Sequence, residues 1–526
     1  MINEKYPVGI QTFSEIIREG YVYIDKTDYV WELAHYAKYI FMGRPRRFGK
    51  SLLTSTLASY FLGERELFEG LKVMALEKEW QQYPVLHLDL SIAKGQPDAT
   101  ELRSTLMWLL RPLADIYGKN DDETSPGKLL TGIITRARGK TGKQVVVLID
   151  EYDAPLLEVL HEGPLLDEMR KVMQEFFTPL KALERHIKFC FITGITKFSQ
   201  LSIFSTINNL LNVTMDPRFS AICGITEDEL NTTLKESMEQ LAEAYGEALE
   251  QIHQRLKRHY DGYHFSENSP EIYNPYSLLK AFLQRKIASY WFESGTSSYL
   301  VKQLQRFHTD IMSLEHLEAM SSAFDVPTDE MEDALPLLYQ AGYLTIKDYD
   351  RQADIYTLSF PNNEVRTGYA RGLIPIYLGL KLKDTQGFTI RFWRALNNGD
   401  ADKAMQEMQA YLAGLPYVEG FKKKLEDVAT AEGFYEYTFY LLFTSFNDLV
   451  RTQVKCSQGR TDVVVFMPTA IYVMELKVNG TAQEALDQID NRGYATPYQT
   501  DGRRVVKIGI SFNTEKRTIE EWVISS

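Results

Sequence analysis

The chain has 526 residues, which is too long for one hydrophobic core, so two or three domains are expected. A content of 44% hydrophobic and 25% charged residues is typical of a globular protein, and the net charge of -13 argues against a protein that coats nucleic acid non-specifically. Three widely spaced cysteines argue against a disulfide framework. Without a secretion signal or an apolar run of about 18 residues, we expect a cytoplasmic protein that does not enter a membrane.

The first candidate site is the stretch FMGRPRRFGKSLLTS, residues 41–55. The preceding AKYIFMG is typical of a buried strand, and KSLLTSTLASYFLG places its apolar residues on one stripe of a helix. A glycine loop between a strand and a helix is the context of a P-loop, in which Lys50 reaches the phosphates and Ser51 binds Mg²⁺. Backbone amides after Gly49 would receive the phosphates. The opening glycine is Gly43, one residue earlier than the usual spacing, so a glycine-capped turn before a surface helix stays an alternative.

Two further buried strands carry polar residues where they end. GKQVVVLIDEYDAP ends in Asp150 and Glu151, which match the residue that holds the Mg²⁺ shell and the residue that activates the attacking water in P-loop ATPases. HIKFCFITGITKFS ends with Thr193, Thr196 and Lys197, which are placed to sense a γ-phosphate. With YPVLHLDLS as another strand, the pattern predicts a doubly wound parallel α/β sheet whose ligand lies beyond the carboxyl ends of the strands.

Residues 5 to about 280 resemble the AAA-ATPase-like domain of a large bacterial family, in which RPRRFGKS recurs as the P-loop. The segments YIDKTDYVWEL, LIDEYDAP, FITGITKFS and YDGYHF look like its other signatures. The resemblance implies that the early Gly43 is a family trait, and that ATP is bound and hydrolysed. It makes Arg44, Arg46 and Arg47 candidates for phosphate or partner contacts, with a solvated arginine face as the alternative.

The middle of the chain has a helical pattern and an informative end. Residues 333–366, DALPLLYQAGYLTIKDYDRQADIYTLSFPNNEVR, predict a helix, a glycine and two strands around a polar turn, which is the order of a winged helix. The helix that would read DNA has no Arg or Lys, so contact with a partner protein or another copy of the chain is favoured over contact with DNA. We expect a relay between the domains on either side.

The last third contains TDVVVFMPTAIYVMELK, two β-rich runs on either side of a short turn. If Met467 pairs with Ala470, the same register of the hairpin sets Asp462 directly opposite Glu475. Strand alternation brings Lys477 onto the same face.

Two carboxylates at that distance repel each other unless a cation lies between them. Asp462 and Glu475 would therefore bind a divalent metal, Mg²⁺ or Mn²⁺, and Lys477 would steady an attacking water for phosphodiester hydrolysis. The alternative is a surface hairpin whose three charges are solvated.

The same three positions resemble the aspartate and the E-x-K element of the PD-(D/E)XK nuclease superfamily, over residues 375–526. The resemblance implies a glutamine on the following helix, Gln488. It also implies an acid on a preceding helix, for which Glu432 is the first choice and Glu436 the reserve. The fold could also bind nucleic acid without cutting it.

Local positive charge favours contact with phosphate around this hairpin. The basic residues near it are Arg451, Lys455, Arg460, Arg492, Arg503, Arg504 and Lys507. A basic rim around an acidic centre is what a strand-cutting cleft needs. The expected partner is DNA, with RNA left open.

The sequence thus predicts a P-loop ATPase domain over residues 1–220, a helical and winged-helix relay over 221–375, and an α/β restriction-endonuclease-like domain over 376–526. ATP would gate the nuclease. Two alternatives are an ATP-dependent signalling switch whose C-terminal domain only binds a partner, and a nuclease regulated by a nucleotide that is not hydrolysed. The middle region could support a homo-oligomer.

Overall fold

The protein is described by a computed structural model that covers residues 5–160, 162–197, 209–294, 304, 307, 314–327, 331–377, 382–414, 440–442, 444–445, 450–456, 459–478, 480–513, 516 and 518–526. The chain divides into two compact units, residues 1–362 and 363–526. Each unit is described by itself below. The three-part division predicted from the sequence stays a prediction.

The first unit is built on a sheet of five parallel strands in the order β2-β3-β4-β1-β5. These strands are Tyr39–Gly43 (β1), Val85–Asp89 (β2), Val145–Asp150 (β3), Ile187–Gly194 (β4) and Leu211–Asn212 (β5). Strands β1 and β3 are buried at every position, because a central parallel strand is covered on both faces. The predicted parallel α/β sheet is confirmed.

Helices connect these strands. They are Phe13–Arg18 (α1), Thr27–Tyr36 (α2), Lys50–Leu62 (α3), Val73–Leu76 (α4), Ala99–Tyr117 (α5), Pro126–Thr141 (α6), Ala154–Leu157 (α7) and Gly163–Ala182 (α8). The strand order places the end of β4 between the ends of β1 and β3. Residues after these three strands therefore meet at one edge of the sheet.

A helical segment follows the sheet, as the sequence predicts. It contains Ile225–Thr226 (β6), Glu227–Thr232 (α9), Lys235–Tyr245 (α10), Leu249–Tyr260 (α11), Ile272–Tyr273 (β7) and Pro275–Gln284 (α12). Its own core includes Leu241, Leu256, Tyr260 and Leu278, all fully or almost fully buried.

The predicted helix and strand pair near the end of this unit also form. The elements are Leu317–Ala319 (β8), Ser321–Phe324 (α13), Leu335–Gln340 (α14), Thr345–Asp350 (β9) and Ile355–Ser359 (β10). Strand β8 pairs with β10 and completes a three-stranded sheet. Assignment of this segment as a winged helix stays a prediction.

The second unit carries a mixed sheet in the order β11-β12-β13-β14-β15, in which only β13 and β14 are parallel. Its elements are Asn363–Tyr377 (α15), Leu382–Asn397 (α16), Ala401–Ala413 (α17), Val450–Cys456 (β11), Gly459–Phe466 (β12), Ala470–Val478 (β13), Ala482–Asn491 (α18), Arg504–Asn513 (β14) and Thr518–Ser525 (β15). Helix α18 is the crossover that a parallel strand pair requires. The predicted C-terminal α/β architecture is confirmed.

The hairpin of β12 and β13 has the predicted register. Val463 pairs with Met474, Phe466 pairs with Ile471, and the Met467 amide donates to the Ala470 carbonyl over 2.8 Å. A small hydrophobic core packs α18 against one face of this hairpin. Its members are Val464, Ile471, Val473, Leu486, Ile489 and Tyr494.

Candidate functional sites

The loop after β1 contains residues with left-handed backbone conformations. Gly49 has φ +91° and precedes α3 directly, and Arg47 has φ +70°. Such a conformation costs a non-glycine residue roughly 1–2 kcal/mol, so the surrounding contacts must hold Arg47 in place. Gly43 is the last residue of β1, and its amide donates to Thr214 Oγ1 over 2.9 Å. The early glycine thus belongs to the strand, and Gly49 makes the turn into the helix.

The side chain of Lys50 closes the loop on itself. Its Nζ donates to the carbonyl oxygens of Arg44 and Pro45 over 3.0 and 3.1 Å, and the residue is buried. The ammonium group therefore lies against the strand side of the loop. The charge of Lys50 also acts on the buried carboxyls of Asp150 and Glu151.

Arg44 lies in the core of the unit, which corrects the expectation that it contacts a phosphate or a partner. It is 1% exposed, and its guanidinium donates to the carbonyls of Thr214 over 2.7 Å and Phe219 over 2.9 Å. The same group stacks on the Phe265 ring at 4.2 Å. Burial lowers the pKa of Arg44. This arginine fastens the loop to the segments that follow the sheet.

The other two loop arginines are placed differently. The Arg46 carbonyl accepts a hydrogen bond of 3.2 Å from Trp291 Nε1. Arg47 is exposed, and its guanidinium lies 4.3 Å from the centre of the Tyr276 ring. Contact of either side chain with a phosphate stays a prediction.

The structure brings together Ser51, Asp150 and Glu151 at the edge of the sheet. The Ser51 hydroxyl donates to the Asp150 carboxylate, and the Glu151 amide donates to Asp150 Oδ1 over 2.9 Å. Burial raises the pKa of Asp150 and of Glu151, and the charge of Lys50 opposes both shifts. A hydroxyl and a buried carboxylate in contact are the oxygen donors that Mg²⁺ prefers.

The polar residues at the end of β4 and just after it form hydrogen bonds or ion pairs with other protein groups. Thr193 Oγ1 donates to the Met42 carbonyl over 2.7 Å, and Thr196 Oγ1 donates to Asp153 Oδ2 over 2.7 Å. Lys197 Nζ forms an ion pair of 3.0 Å with Asp325. Direct contact of Thr196 or Lys197 with a phosphate stays a prediction.

Two residues near this edge are absent from the sequence prediction. Asp89 pairs with Asp150 in the register of β2 and β3, so it is another carboxylate at the carboxyl ends of the strands. Gly342, with φ +84°, packs so closely on the loop that a Cβ there would lie 2.6 Å from Pro45 Cβ. The sequence does contain a signal for Asp89, because HLDLS ends a strand with an aspartate, as LIDEY does. No sequence pattern indicates the role of Gly342, since its partner Pro45 is nearly 300 positions away in the sequence.

An apolar cavity lies next to Gly49, where the loop after β1 meets α3. It lies between the N-terminal segment, the start of α3 and the helical segment after the sheet. Its lining includes Pro7, Tyr23, Ile24, Gly49, Leu53, Cys223, Ile225, Pro275 and Leu279. Lys26 also lines it, in an ion pair of 2.6 Å with Glu229.

The second site lies on the hairpin face that α18 covers. Glu475 is 3% exposed, and its carboxylate accepts a hydrogen bond from Gln488 Nε2 of α18. The Asp462 amide donates to Glu475 Oε2 over 3.4 Å, and Asp462 Oδ2 accepts from the Leu476 amide over 2.8 Å. The structure therefore brings Asp462, Glu475 and Gln488 together, and their roles at a nuclease site stay predictions.

Burial and the neighbouring groups act on the pKa of Glu475, some raising it and others lowering it. Burial first, and then the neighbouring Asp462 carboxylate, raise the pKa of Glu475 to about 8. Lys477 is half-buried on the same strand, and its charge opposes that rise, as does the hydrogen bond from Gln488. Burial and the charge of Asp462 thus outweigh the charge of Lys477 at this carboxyl.

Some of the basic residues expected around this site form ion pairs with acidic residues, and one lies far from Glu475. Arg503 pairs with Asp501, and Lys507 pairs with Asp490 at 2.7 Å. Arg504 lies beside Ala470 at the turn of the hairpin, about 16 Å along the strand from Glu475 at 3.3 Å per residue. The side chains of Arg451, Lys455 and Arg460 are outside the described parts of the chain.

Glu432 and Glu436 also lie outside the described residues. Within the ranges that the structure covers, no group of three or more His, Cys, Asp or Glu side chains is arranged to hold a metal ion. Asp462 and Glu475 supply two carboxylates, which fit a hard divalent cation that takes its remaining ligands from water or substrate.

Comparisons with known proteins identify a domain family near each end of the chain. A family model described as "Predicted AAA-ATPase" matches residues 7–204, and a model of the PD-(D/E)XK nuclease superfamily matches residues 430–522. The chain therefore combines an AAA-ATPase-like domain with a C-terminal nuclease-superfamily domain. It is 31% identical over 535 residues to the "Uncharacterized protein in vnfD 5'region" of Azotobacter chroococcum mcd 1, and the match covers all of both chains. The chain belongs to the same family as that protein.

None of the helices in the described part of the chain has the length and apolar character that a bilayer crossing requires.

Proposed function

We propose that this protein binds and hydrolyses Mg-ATP in its first unit, and that its second unit is a metal-dependent nuclease acting on nucleic acid, with DNA preferred over RNA. ATP turnover would regulate cleavage. The observation that carries the nuclease proposal is the burial of Glu475 beside Asp462, an unfavourable pair that a divalent cation would stabilise.

The ATPase proposal is supported by the contact between Ser51 and Asp150 next to Lys50. Ser51 and Asp150 would hold Mg²⁺, Lys50 would bind the phosphates, and Glu151 would accept the proton of the attacking water. Bound Mg²⁺ would neutralise charge on the phosphates. The apolar cavity beside Gly49 would receive the base, because a purine is flat and largely apolar.

In the second unit, Asp462 and Glu475 would hold Mg²⁺ or Mn²⁺ and Lys477 would orient the attacking water. Gln488 keeps the Glu475 carboxylate in one orientation through its hydrogen bond. The metal would supply a nucleophile at neutral pH and neutralise the charge that grows on the phosphate.

The proposed setting is the cytoplasm. The two cysteines whose side chains are described, Cys190 and Cys223, are buried free thiols, which supports a reducing compartment. The segment of residues 333–366 would contact a partner protein or another copy of the chain.

A second function is favoured by one observation. Asp462 Oδ2 already accepts the Leu476 amide, which is a structural use of that carboxylate. An ATP-dependent switch whose second unit binds nucleic acid or a partner without cutting would retain this bond.

The test is nicking of supercoiled plasmid with Mg²⁺ or Mn²⁺, with and without ATP, together with ATP turnover. We expect cleavage by the wild type and none by Asp462→Asn, while Asp487→Asn, an exposed acid on α18, cuts normally. We expect Lys50→Ala to lose nucleotide binding. Cleavage that survives Asp462→Asn would contradict the nuclease assignment, and ATP turnover without any cleavage would favour the switch.

A further inference from the structure

The turn after β3 is fastened to the exit of β4 by a buried carboxylate. Asp153 is 1% exposed, and its Oδ2 accepts three hydrogen bonds from two residues. The donors are the Ile195 amide at 3.0 Å, the Thr196 amide at 2.7 Å and the Thr196 hydroxyl at 2.7 Å. Charge-assisted bonds of this kind are stronger than bonds between neutral groups, so they fasten the two segments to each other.

The neighbouring Tyr152 adds to this attachment. Its amide donates to the Thr193 carbonyl over 3.2 Å, and its hydroxyl donates to the Thr196 carbonyl over 2.9 Å. Gly194 leaves room for both residues, because a Cβ there would lie 2.4 Å from Asp153 Oδ1 and 2.6 Å from the Tyr152 ring. The pair 152–153 is therefore held closely against β4.

Glu151 lies between this anchored pair and Asp150, the fixed end of β3. Its φ of +48° is left-handed, a strained conformation for a side chain of this size. In the described part of the chain, no hydrogen bond to the Glu151 carboxylate is found; burial raises its pKa, and the charge of Lys50 opposes that rise. The backbone of residues 150–153 thus sets the direction in which the Glu151 side chain leaves the main chain.

We propose that Asp153 is a positioning residue for ATP hydrolysis. By binding residues 195 and 196, it keeps Glu151 in the left-handed conformation that directs its carboxylate toward the attacking water. This inference rests on the proposed function, in which Glu151 accepts a proton. It also gives Thr196 an indirect role, because a shift of the β4 exit would move Glu151 through Asp153.

The test uses the full chain and compares Asp153→Asn, Glu151→Gln and the double variant. Asparagine keeps the shape of Asp153 but loses the charge that strengthens its three bonds. We expect Asp153→Asn to bind ATP within about threefold of the wild type and to lower kcat roughly tenfold or more, as for a misplaced general base. In the Glu151→Gln background, the same change should lower the residual rate by less than about twofold.

Two further variants separate positioning from loss of folding. Thr196→Val removes only the hydroxyl bond, so it should lower kcat in the same direction by a smaller factor, with a cooperative unfolding transition and only a small fall in melting temperature. Asp167→Asn removes an exposed acid of α8 and should hydrolyse ATP at the wild-type rate. If Asp153→Asn fails to fold, Thr196→Val in the two backgrounds replaces it.

The outcomes distinguish this inference from the proposed function. If Asp153→Asn keeps its kcat, or lowers the rate equally with and without Glu151, Asp153 does not act through Glu151 and the inference is wrong. If Glu151→Gln hydrolyses ATP as fast as the wild type, or the wild type hydrolyses none, the proposed function itself is wrong at this site.

Discussion

Gly509 lies beside Glu475 in the parallel pairing of β13 and β14, and α18 crosses directly over it. A Cβ at position 509 would lie 2.1 Å from the Ala482 carbonyl oxygen and 2.6 Å from the Leu486 amide nitrogen. The missing side chain therefore allows the helix to approach the sheet. Because Gln488 is on that helix, Gly509 also sets the distance between Gln488 and Glu475.

Replacing Gly509 with alanine should push α18 away from the sheet. We expect the free energy of unfolding of the second unit to fall by about 1–3 kcal/mol, as for other overpacked cores, and the peptides of β13 and α18 to exchange amide hydrogen faster. The matched control is Gly387→Ala in α16, where a Cβ would only touch Arg391 at 3.5 Å. Equal exchange in both variants would show that the close approach is unimportant.

Glu475 should make the stability of the second unit depend on pH. Its pKa is about 8 in the folded protein and 4.5 ordinarily, so the folded state holds a proton that the unfolded state releases. Stability should therefore fall as pH rises from about 4.5 to 8, and Glu475→Gln should remove this slope. The effect is on the order of a few kcal/mol, at about 1.4 kcal/mol for each pKa unit.

The measurement is hydrogen exchange of β12 and β13 at pH 5 and pH 8 in EDTA, corrected for the intrinsic exchange rates. In separate samples without EDTA, Mn²⁺ at pH 8 should stabilise the wild type and have no effect on Glu475→Gln, because the metal compensates the same charge. A pH slope that is unchanged in the variant would assign it to other groups.

Gly342 should be necessary for nucleotide binding although it lies far from the loop in sequence. In Gly342→Ala, a strained φ of +84° is combined with a clash against Pro45, so the loop must shift. We expect the Kd for Mg-ATP to rise roughly tenfold or more. Gly20→Ala is the control, since φ is +68° but a Cβ would meet nothing within 4 Å, and it should cost only about 1 kcal/mol of stability. Normal affinity in Gly342→Ala would mean that the loop adapts.

The apolar cavity can be tested by filling it. Leu279→Trp adds bulk to the wall opposite the start of α3, so ATP should bind about tenfold more weakly. Inorganic tripolyphosphate, which has no base, should bind as tightly as it does to the wild type. A parallel loss of both ligands would place the effect on the phosphate loop instead.

Much of this fold could be predicted from local patterns. The hairpin register follows from strand alternation and a two-residue turn, which is why Asp462 and Glu475 are correctly placed opposite each other. The strand, loop and helix around Lys50 follow from apolar periodicity in the same way.

The errors and omissions concern contacts between distant segments. The position of Arg44 depends on Thr214, Phe219 and Phe265, which no local pattern connects to it. The bonds between Thr196 and Asp153 depend on the order of β3 and β4 in the sheet, and the role of Gly509 depends on a parallel register across a crossover. Such pairings are set by tertiary packing, which sequence periodicity does not encode.

The central claim is that Asp462 and Glu475 together bind a divalent metal. Anomalous diffraction from crystals soaked in Mn²⁺ tests it directly. We predict a peak about 2 to 2.6 Å from a carboxylate oxygen of each residue, absent in Asp462→Asn. Mn²⁺ bound elsewhere in the molecule, with no peak between these two carboxylates, would contradict the claim.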